Sequence, residues 1–465
     1  MKGWSMHVFF AMAFAVLMSV DTFAQGVAKS QHVRIDPSFV PVSSVNLKTA
    51  EIAAYMPETQ RLFVVGEDDV LEIVKIDGQG KLEKDSQFTL EGEATSVTVY
   101  DNLVAVSLLA KPAHAEGFVE ILKFEGSALS KVGSYKVGHH PDMITFTPDG
   151  KRLLVACEGE PSEDGKIDPK GSVAILELGS DVAKSGTGFT PKISILEFDD
   201  ASVEPEYISV SEDSKYAWVS LQENNAMARV DIAAAKIDTI FDLGYVDHSM
   251  PGFGLDAVKD GRINIKNENM RGLRQPDGIK TFSVGQKNFV ITANEGESLE
   301  KPAAWKSYAK KEPCEGVKDC KITYGSRSIS IFDGMSGELV WDSGDALEQA
   351  AAKFTPEYFN WNSKKGKKKI DTRSDDKGCE PENVTYGYTH GRRLVFVGLE
   401  RAGAIAIFDA TDFKSPKLIQ YIMDPNHRGP EGILFIPSDK SPVKHTALLI
   451  VGFEYSKTLV VYKVK

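Results

Sequence analysis

The sequence predicts an all-β fold, and more narrowly a seven-bladed β-propeller. Three observations lead there: short apolar runs divided by turn residues, a unit that recurs seven times, and end segments that complement each other. The strand rhythm is clear in RLFVVGEDDVLEIVKIDGQGKLEKDSQFTL from Arg61, and it returns from Lys215 and from Arg392. Runs of this length, rich in β-branched and aromatic residues and bounded by Gly, Asn and Asp, fit a pleated, half-buried backbone. Only residues 345–360 carry a helical pattern.

The repeat opens with a proline and an acid ahead of an apolar run: Pro141-Asp142, Pro205-Glu206, Pro276-Asp277, Pro381-Glu382 and Pro430-Glu431. Weaker openings at Glu51 and Thr95 complete seven. A second apolar run follows each and ends, in six of the seven, on a glutamate: Glu67, Glu158, Glu223, Glu295, Glu400 and Glu454. The acid-to-glutamate spacing is 16 to 23 residues. A period of this kind belongs to repeat architectures, and four strands per unit make a propeller blade. The last unit has three strands, near 431–436, 446–452 and 458–464, and residues 39–47 (FVPVSSVNL) can supply the fourth. Pairing the two ends closes the ring and removes an exposed sheet edge. The 465 residues then need a single domain, 25–465, with insertions near 244–275, 296–324 and 343–380.

Residues 1–24 stand apart. Lys2, an apolar run of 13 residues from Val8 to Val20, and Thr22-Phe23-Ala24 before Gln25 read as an export signal, too short for a membrane span. The mature chain is expected in the periplasm or outside the cell, monomeric, with no membrane span. The charge of −12, from 54 Lys+Arg and 66 Asp+Glu, excludes nucleic acid as an expected partner. Cys314 and Cys320 flank a five-residue loop and are expected to form a local disulfide; Cys157 reads as a buried thiol. The run Lys364-Lys365-Gly366-Lys367-Lys368-Lys369 reads as a solvated loop or a contact for an anionic surface.

In a propeller the first strand of each blade lines the central channel, so the opening acid and the closing glutamate lie at the same end. The candidate metal ligands are therefore Glu158, Glu204, Glu206, Glu223, Asp277, Glu295, Glu380, Glu382, Glu400 and Glu431, with Glu454 behind them. Crowded carboxylates repel unless a cation neutralises them or some keep a proton. Oxygen-only ligands favour hard divalent ions, calcium first. The alternative is structural, each acid accepting backbone N–H bonds and stapling one blade to the next. Asp256, Asp260, Gly261 and Asn264 resemble a calcium loop but lack its spacing and read as a turn. Histidines at 139–140, 248 and 427 carry no catalytic pattern, and no nucleophile elbow, H-E-x-x-H or phosphate loop is present. Arg401 and Arg428, near Glu400 and Glu431, are candidate phosphate ligands. Two functions follow: a binding protein that engages a ligand or surface partner through an acidic, cation-bearing face, and a calcium-dependent phosphoesterase using the same face.

The segments CEGEPSEDGKIDPKGSVAILEL, VEPEYISVSEDSKYAWVSLQENNAMARVDI, LGYVDHSMPGFGLDAVKDGRINIKN, QPDGIKTF…VITANEGES and RSDDKGCEPENVTY…VFVGLERAGAIAIFDATD resemble the choice-of-anchor I domain family. These are exported bacterial propellers similar to animal mesenchyme-specific cell-surface glycoproteins. The resemblance runs from about residue 45 to the C-terminus. It implies a WD40/YVTN-like propeller, and the label alkaline phosphatase among relatives adds to the phosphoesterase alternative. Cys157 stands where the family's NEGEP stretch has Asn, and the chain ends at Lys465 without a sorting tail.

Overall fold

Seven hydrophobic cores organise the described residues: one lies within the seven-stranded sheet, one joins the first and last sheets, and the others join sheets that follow one another in the chain. In the computed structural model, residues 38–162, 164–179, 189–297 and 304–464 are described, and the expected export signal at 1–24 lies outside them. The described chain is all-β and propeller-like, built from antiparallel sheets with one α-helix, Ala346–Phe354.

Five sheets have four strands each, and a small sheet has three. A seventh sheet has seven strands because Leu82–Tyr100 serves two repeats: its first half pairs with Asp68–Ile76 and its second half with Leu103–Leu108. The innermost strands are Ile52–Met56, the second half of Leu82–Tyr100, Pro141–Phe146, Pro205–Val210, Ile279–Val284, Pro381–Thr389 and Pro430–Ile436. Each touches the next in this order, and the last touches the first. Strand Phe39–Asn46 pairs antiparallel with Thr458–Val464 at the far end of the chain, Val40 opposite Lys463 and Val45 opposite Leu459.

The cores explain the order. Second and third strands are apolar on both faces, as in Leu394, Phe396, Ile405 and Ile407, which meet Leu449, Val451, Val460 and Tyr462 of the next sheet. Leu62, Val64 and Val74 of the first sheet meet Leu448, Ile450 and Val461 of the last. A fully buried side chain of this size contributes about 1.5–3 kcal/mol, so neighbouring sheets hold one another.

The insertions carry structure of their own. The 244–275 segment supplies Tyr245–Asp247 and Met270–Leu273, and Lys321–Thr323 adds to the latter in parallel. Cys314 and Cys320 are joined by a disulfide with Cα atoms 5.6 Å apart, whereas Cys157 and Cys379 are free and buried. In the third insertion the Ala-rich run 346–352 favours a helix. Leu347, Ala350 and Ala351 bury one face against the core around Phe359 and Trp361, and the helix stops before Pro356. The Asp256 carboxylate accepts the backbone N–H groups of Asn264 at 2.8 Å and Val258 at 3.3 Å, and that of Asp260 accepts Arg262 N–H, so this segment is a hydrogen-bonded turn.

Candidate metal centre at the carboxylate mouth

A repeated backbone device brings opening acids and closing glutamates together. The residue before the opening proline adopts a left-handed conformation at His140 (φ 48°), Gln275 (φ 43°), Glu380 (φ 52°) and Gly429 (φ 69°). For a non-glycine this costs on the order of 1–3 kcal/mol and persists only where surrounding structure enforces it. Here the turned-out carbonyl of His140 accepts the N–H of Glu158 at 2.9 Å. That of Glu380 accepts Glu400 N–H at 2.9 Å, and that of Gly429 accepts Glu454 N–H at 2.8 Å. The end of the second strand is thereby tied to the start of the first, and both acids reach one end of the sheet.

Four groups of three carboxylates result, each with one oxygen per residue lying within 4.8 Å of the others: Asp142–Glu158–Glu206, Asp277–Glu295–Glu382, Glu295–Glu380–Glu400 and Glu400–Glu431–Glu454. Asp142, Asp277 and Glu431 also face a cavity of about 380 Å³ at the channel mouth, together with Glu51, Glu67 and His140. Glu204 and Glu223 form a further pair beside the first group.

The groups differ in their counter-charge. Glu295, Glu380 and Glu400 are neutralised from within. Lys377 contacts Glu295 and lies 3.6 Å from both Glu297 and Glu380. Arg401 lies 3.2 Å from Glu380 and 3.0 Å from Glu400, and Arg373 donates to Glu380. Tyr455 donates to Glu400. The first group has no such cation: its sole basic neighbour among the described residues is the His140 ring, 3.9 Å from Glu158. Burial lowers the His140 pKa, so the ring is neutral at pH 7 and adds no counter-charge.

Accordingly the carboxylates hold protons far above their usual range. Burial raises Asp142 to about 7. Burial, then the charges of Glu295 and Asp142, raise Asp277 to about 8. Burial and then Glu204 raise Glu223 to about 9. Glu158, Glu206, Glu382 and Glu431 are pushed well above the carboxylate range, first by burial and then by neighbouring acids. The folded chain thus binds more protons than the unfolded chain from about pH 4, where free carboxyls titrate, to about pH 9, where Glu223 gives up its proton, so the metal-free protein loses stability as pH rises across that window. A divalent ion competes with those protons and stabilises more as they leave. The melting temperature is therefore expected to fall between about pH 5 and pH 8 in EDTA and to fall much less in calcium. A calcium shift of the same size at both ends of the range would contradict the assignment.

Most of the sequence-derived candidates meet here: Glu158, Glu206, Asp277, Glu295, Glu380, Glu382, Glu400 and Glu431 all belong to a group. Glu204 and Glu223 do not; they pair with each other. Arg401 is held by Glu380, Glu400 and Tyr455, and Arg428 donates to the Ser363 carbonyl at 2.8 Å. Sequence reasoning left Asp142 out of the ligand set, although its Pro-Asp opening was the available signal. It also missed Lys377 and Arg373, for which an insertion offers no pattern.

The fold and the mouth define an all-β, propeller-like protein whose central carboxylate groups are suited to a metal ion. The sequence profile of the choice-of-anchor I domain matches residues 51–321 and 308–413, and the chain belongs to that family. The family points to an exported or surface-anchored protein, and no helix among the described residues is long and apolar enough to cross a membrane. Gigasin-3a of Magallana gigas is 37% identical over 97 residues, 20% of this chain and 34% of that protein. The mesenchyme-specific cell surface glycoprotein of Strongylocentrotus purpuratus is 32% identical over 115 residues, 22% of this chain and 15% of that one. The matched stretches thus span about a third of the one relative's length and about a seventh of the other's. Hydrazine synthase of Kuenenia stuttgartiensis superposes with a TM-score of 0.51 at 11% identity, over 90% of this chain and 97% of that one, a likeness of fold alone.

Proposed function

We propose that this chain is an exported seven-bladed β-propeller whose mouth binds a divalent cation, calcium by its oxygen ligands, and through it engages a ligand or surface partner. The blade count is supported by the seven hydrophobic cores and the cyclic contacts of the innermost strands. The observation that carries the cation is the asymmetry of charge. The acids near Lys377, Arg373 and Arg401 have built-in cations, whereas Asp142, Glu158 and Glu206 converge within 4.8 Å without one. Oxygens from two neighbouring repeats at that separation suit a hard ion of six to eight ligands, with water or a ligand's own oxygens filling the remaining positions.

The phosphoesterase alternative needs guanidinium groups free to clamp phosphate beside the metal. Arg401 is engaged by two glutamates and Arg428 by a backbone carbonyl, so the binding reading is the better supported. The test is a calcium titration followed by calorimetry of the wild type, of Asp142→Asn with Glu206→Gln, and of Glu454→Gln. The double variant is expected to lose at least about 100-fold in affinity, since it removes two of the three charged ligands, while Glu454→Gln stays within about threefold. Equal affinity in all three would move the ion elsewhere.

A further inference from the structure

We infer that the third insertion builds a binding site for an acidic polysaccharide, separate from the carboxylate mouth. A cavity of about 540 Å³ lies beneath the lysine run, lined by Lys259, Lys365, Lys367, Lys369 and Arg373. Its acids are already engaged: Asp375 lies 3.7 Å from Lys259, and Asp376 is 2.7 Å from Arg373. Lys365, Lys367 and Lys369 are exposed and have no carboxylate within 4 Å among the described residues. Three uncompensated ammonium groups thus converge on one concavity in a chain of net charge −12. The other two lysines of the run are turned to aromatic rings instead, Lys364 at 5.2 Å from the Tyr455 ring and Lys368 at 4.5 Å from that of Tyr358. These contacts pin the loop at Lys364 and Lys368 and leave the other three lysines to the cavity.

The lining distinguishes among polyanions. Among the described residues no aromatic side chain lines the cavity, so they offer no platform on which a nucleic-acid base could stack. Asn362 and Thr372 offer hydrogen-bonding groups suited to sugar hydroxyls. Lysines act as point charges without bidentate geometry, which fits sulfate or carboxylate groups spread along a chain better than one phosphate held in a fork.

The experiment measures retention and affinity of the mature protein for dextran sulfate against neutral dextran over a salt series. The comparison protein carries Lys365→Glu, Lys367→Glu and Lys369→Glu, all at exposed positions where folding is not at risk. The wild type is expected to bind dextran sulfate in a salt-dependent manner and neutral dextran not at all. The triple variant is expected to weaken binding by at least about tenfold and to lower the salt slope by about three released counter-ions, with an unchanged melting temperature. Equal binding by the variant, no binding by the wild type, or binding of single-stranded DNA or inorganic phosphate as tight as that of dextran sulfate would each overturn the assignment. Because the cavity is distinct from Asp142, Glu158 and Glu206, calcium binding is expected to survive in the triple variant, and its failure and that of the metal site are read separately.

Discussion

Replacing Arg327 by alanine is expected to destabilise the folded chain by about 3–5 kcal/mol, the cost of leaving a buried charge without its partner. The side chain is 3% exposed and joins two insertions to the strand that starts at Ser328. One terminal nitrogen donates to the Asp256 carbonyl at 2.7 Å and to Glu348 at 2.6 Å. The other donates to the carbonyls of Ser374 at 2.8 Å and Asp376 at 2.6 Å. Glu348 is as deeply buried and also accepts Asn360 Nδ2 at 3.0 Å and Asp256 N–H at 2.8 Å. Loss of the guanidinium leaves a carboxylate and three carbonyls unmatched in low dielectric. Arg327→Met combined with Glu348→Leu is expected to regain part of the loss, because an apolar pair needs no charge balance. Urea unfolding measures this through the transition midpoint at constant slope. A loss below about 1 kcal/mol in the single variant would show the cluster to be dispensable.

The second large effect is expected at Lys377. Its ammonium does for Glu295 what a metal ion would do for Asp142, Glu158 and Glu206, and its pKa is raised by Glu295, Glu380 and Glu297 against the opposing effect of burial. Lys377→Met keeps the stem and removes the charge. Glu380 retains Arg373 and Arg401, but among the described residues Glu295 keeps just the amide of Gln222, at 2.7 Å. A loss of about 3 kcal/mol is expected near pH 8. The sign with pH follows from proton uptake. Asp277, Glu380 and Glu382 are raised first by burial, and the Lys377 charge holds them down. Without it they bind protons still more readily in the folded than in the unfolded chain, so stability returns as pH falls and is lost as it rises. In the wild type the raised lysine is fully protonated below its unfolded pKa and contributes throughout the neutral range. Millimolar calcium is expected to restore stability to Lys377→Met near pH 8 by occupying the vacated place, and a second equivalent is expected to bind. A destabilisation that ignores both pH and calcium would mean that Lys377 acts by packing alone.

Much of this was legible in the residues because the repeat is local. Proline, acid, apolar strand and closing glutamate recur within a span of 16 to 23 residues, and the left-handed residue before the proline converts that spacing into proximity. The pairing of Phe39–Asn46 with the last strand was also readable, from a unit one strand short. The counter-charges were not readable. Lys377 meets Glu295 across 82 residues, from an insertion that obeys no period. Arg401 was visible beside Glu400, but its salt bridge to Glu380 depends on the turned backbone at that residue, so a candidate phosphate ligand is instead a partner of two glutamates. Glu223 had the position of a closing glutamate, yet it is Glu204 that faces it. Which acids gather into threes is decided by tertiary packing, since Glu206 and Glu382 complete groups begun by the preceding repeat.

A divalent ion at the Asp142–Glu158–Glu206 group is tested most directly by the metal content of purified protein spanning residues 25–465. After exhaustive dialysis into metal-free buffer and one equilibration with calcium and magnesium, elemental mass spectrometry is expected to find at least one equivalent of calcium per wild-type chain. In Asp142→Asn with Glu206→Gln that equivalent is expected to be gone. A wild type that retains no divalent ion, or a double variant that retains as much, would contradict it.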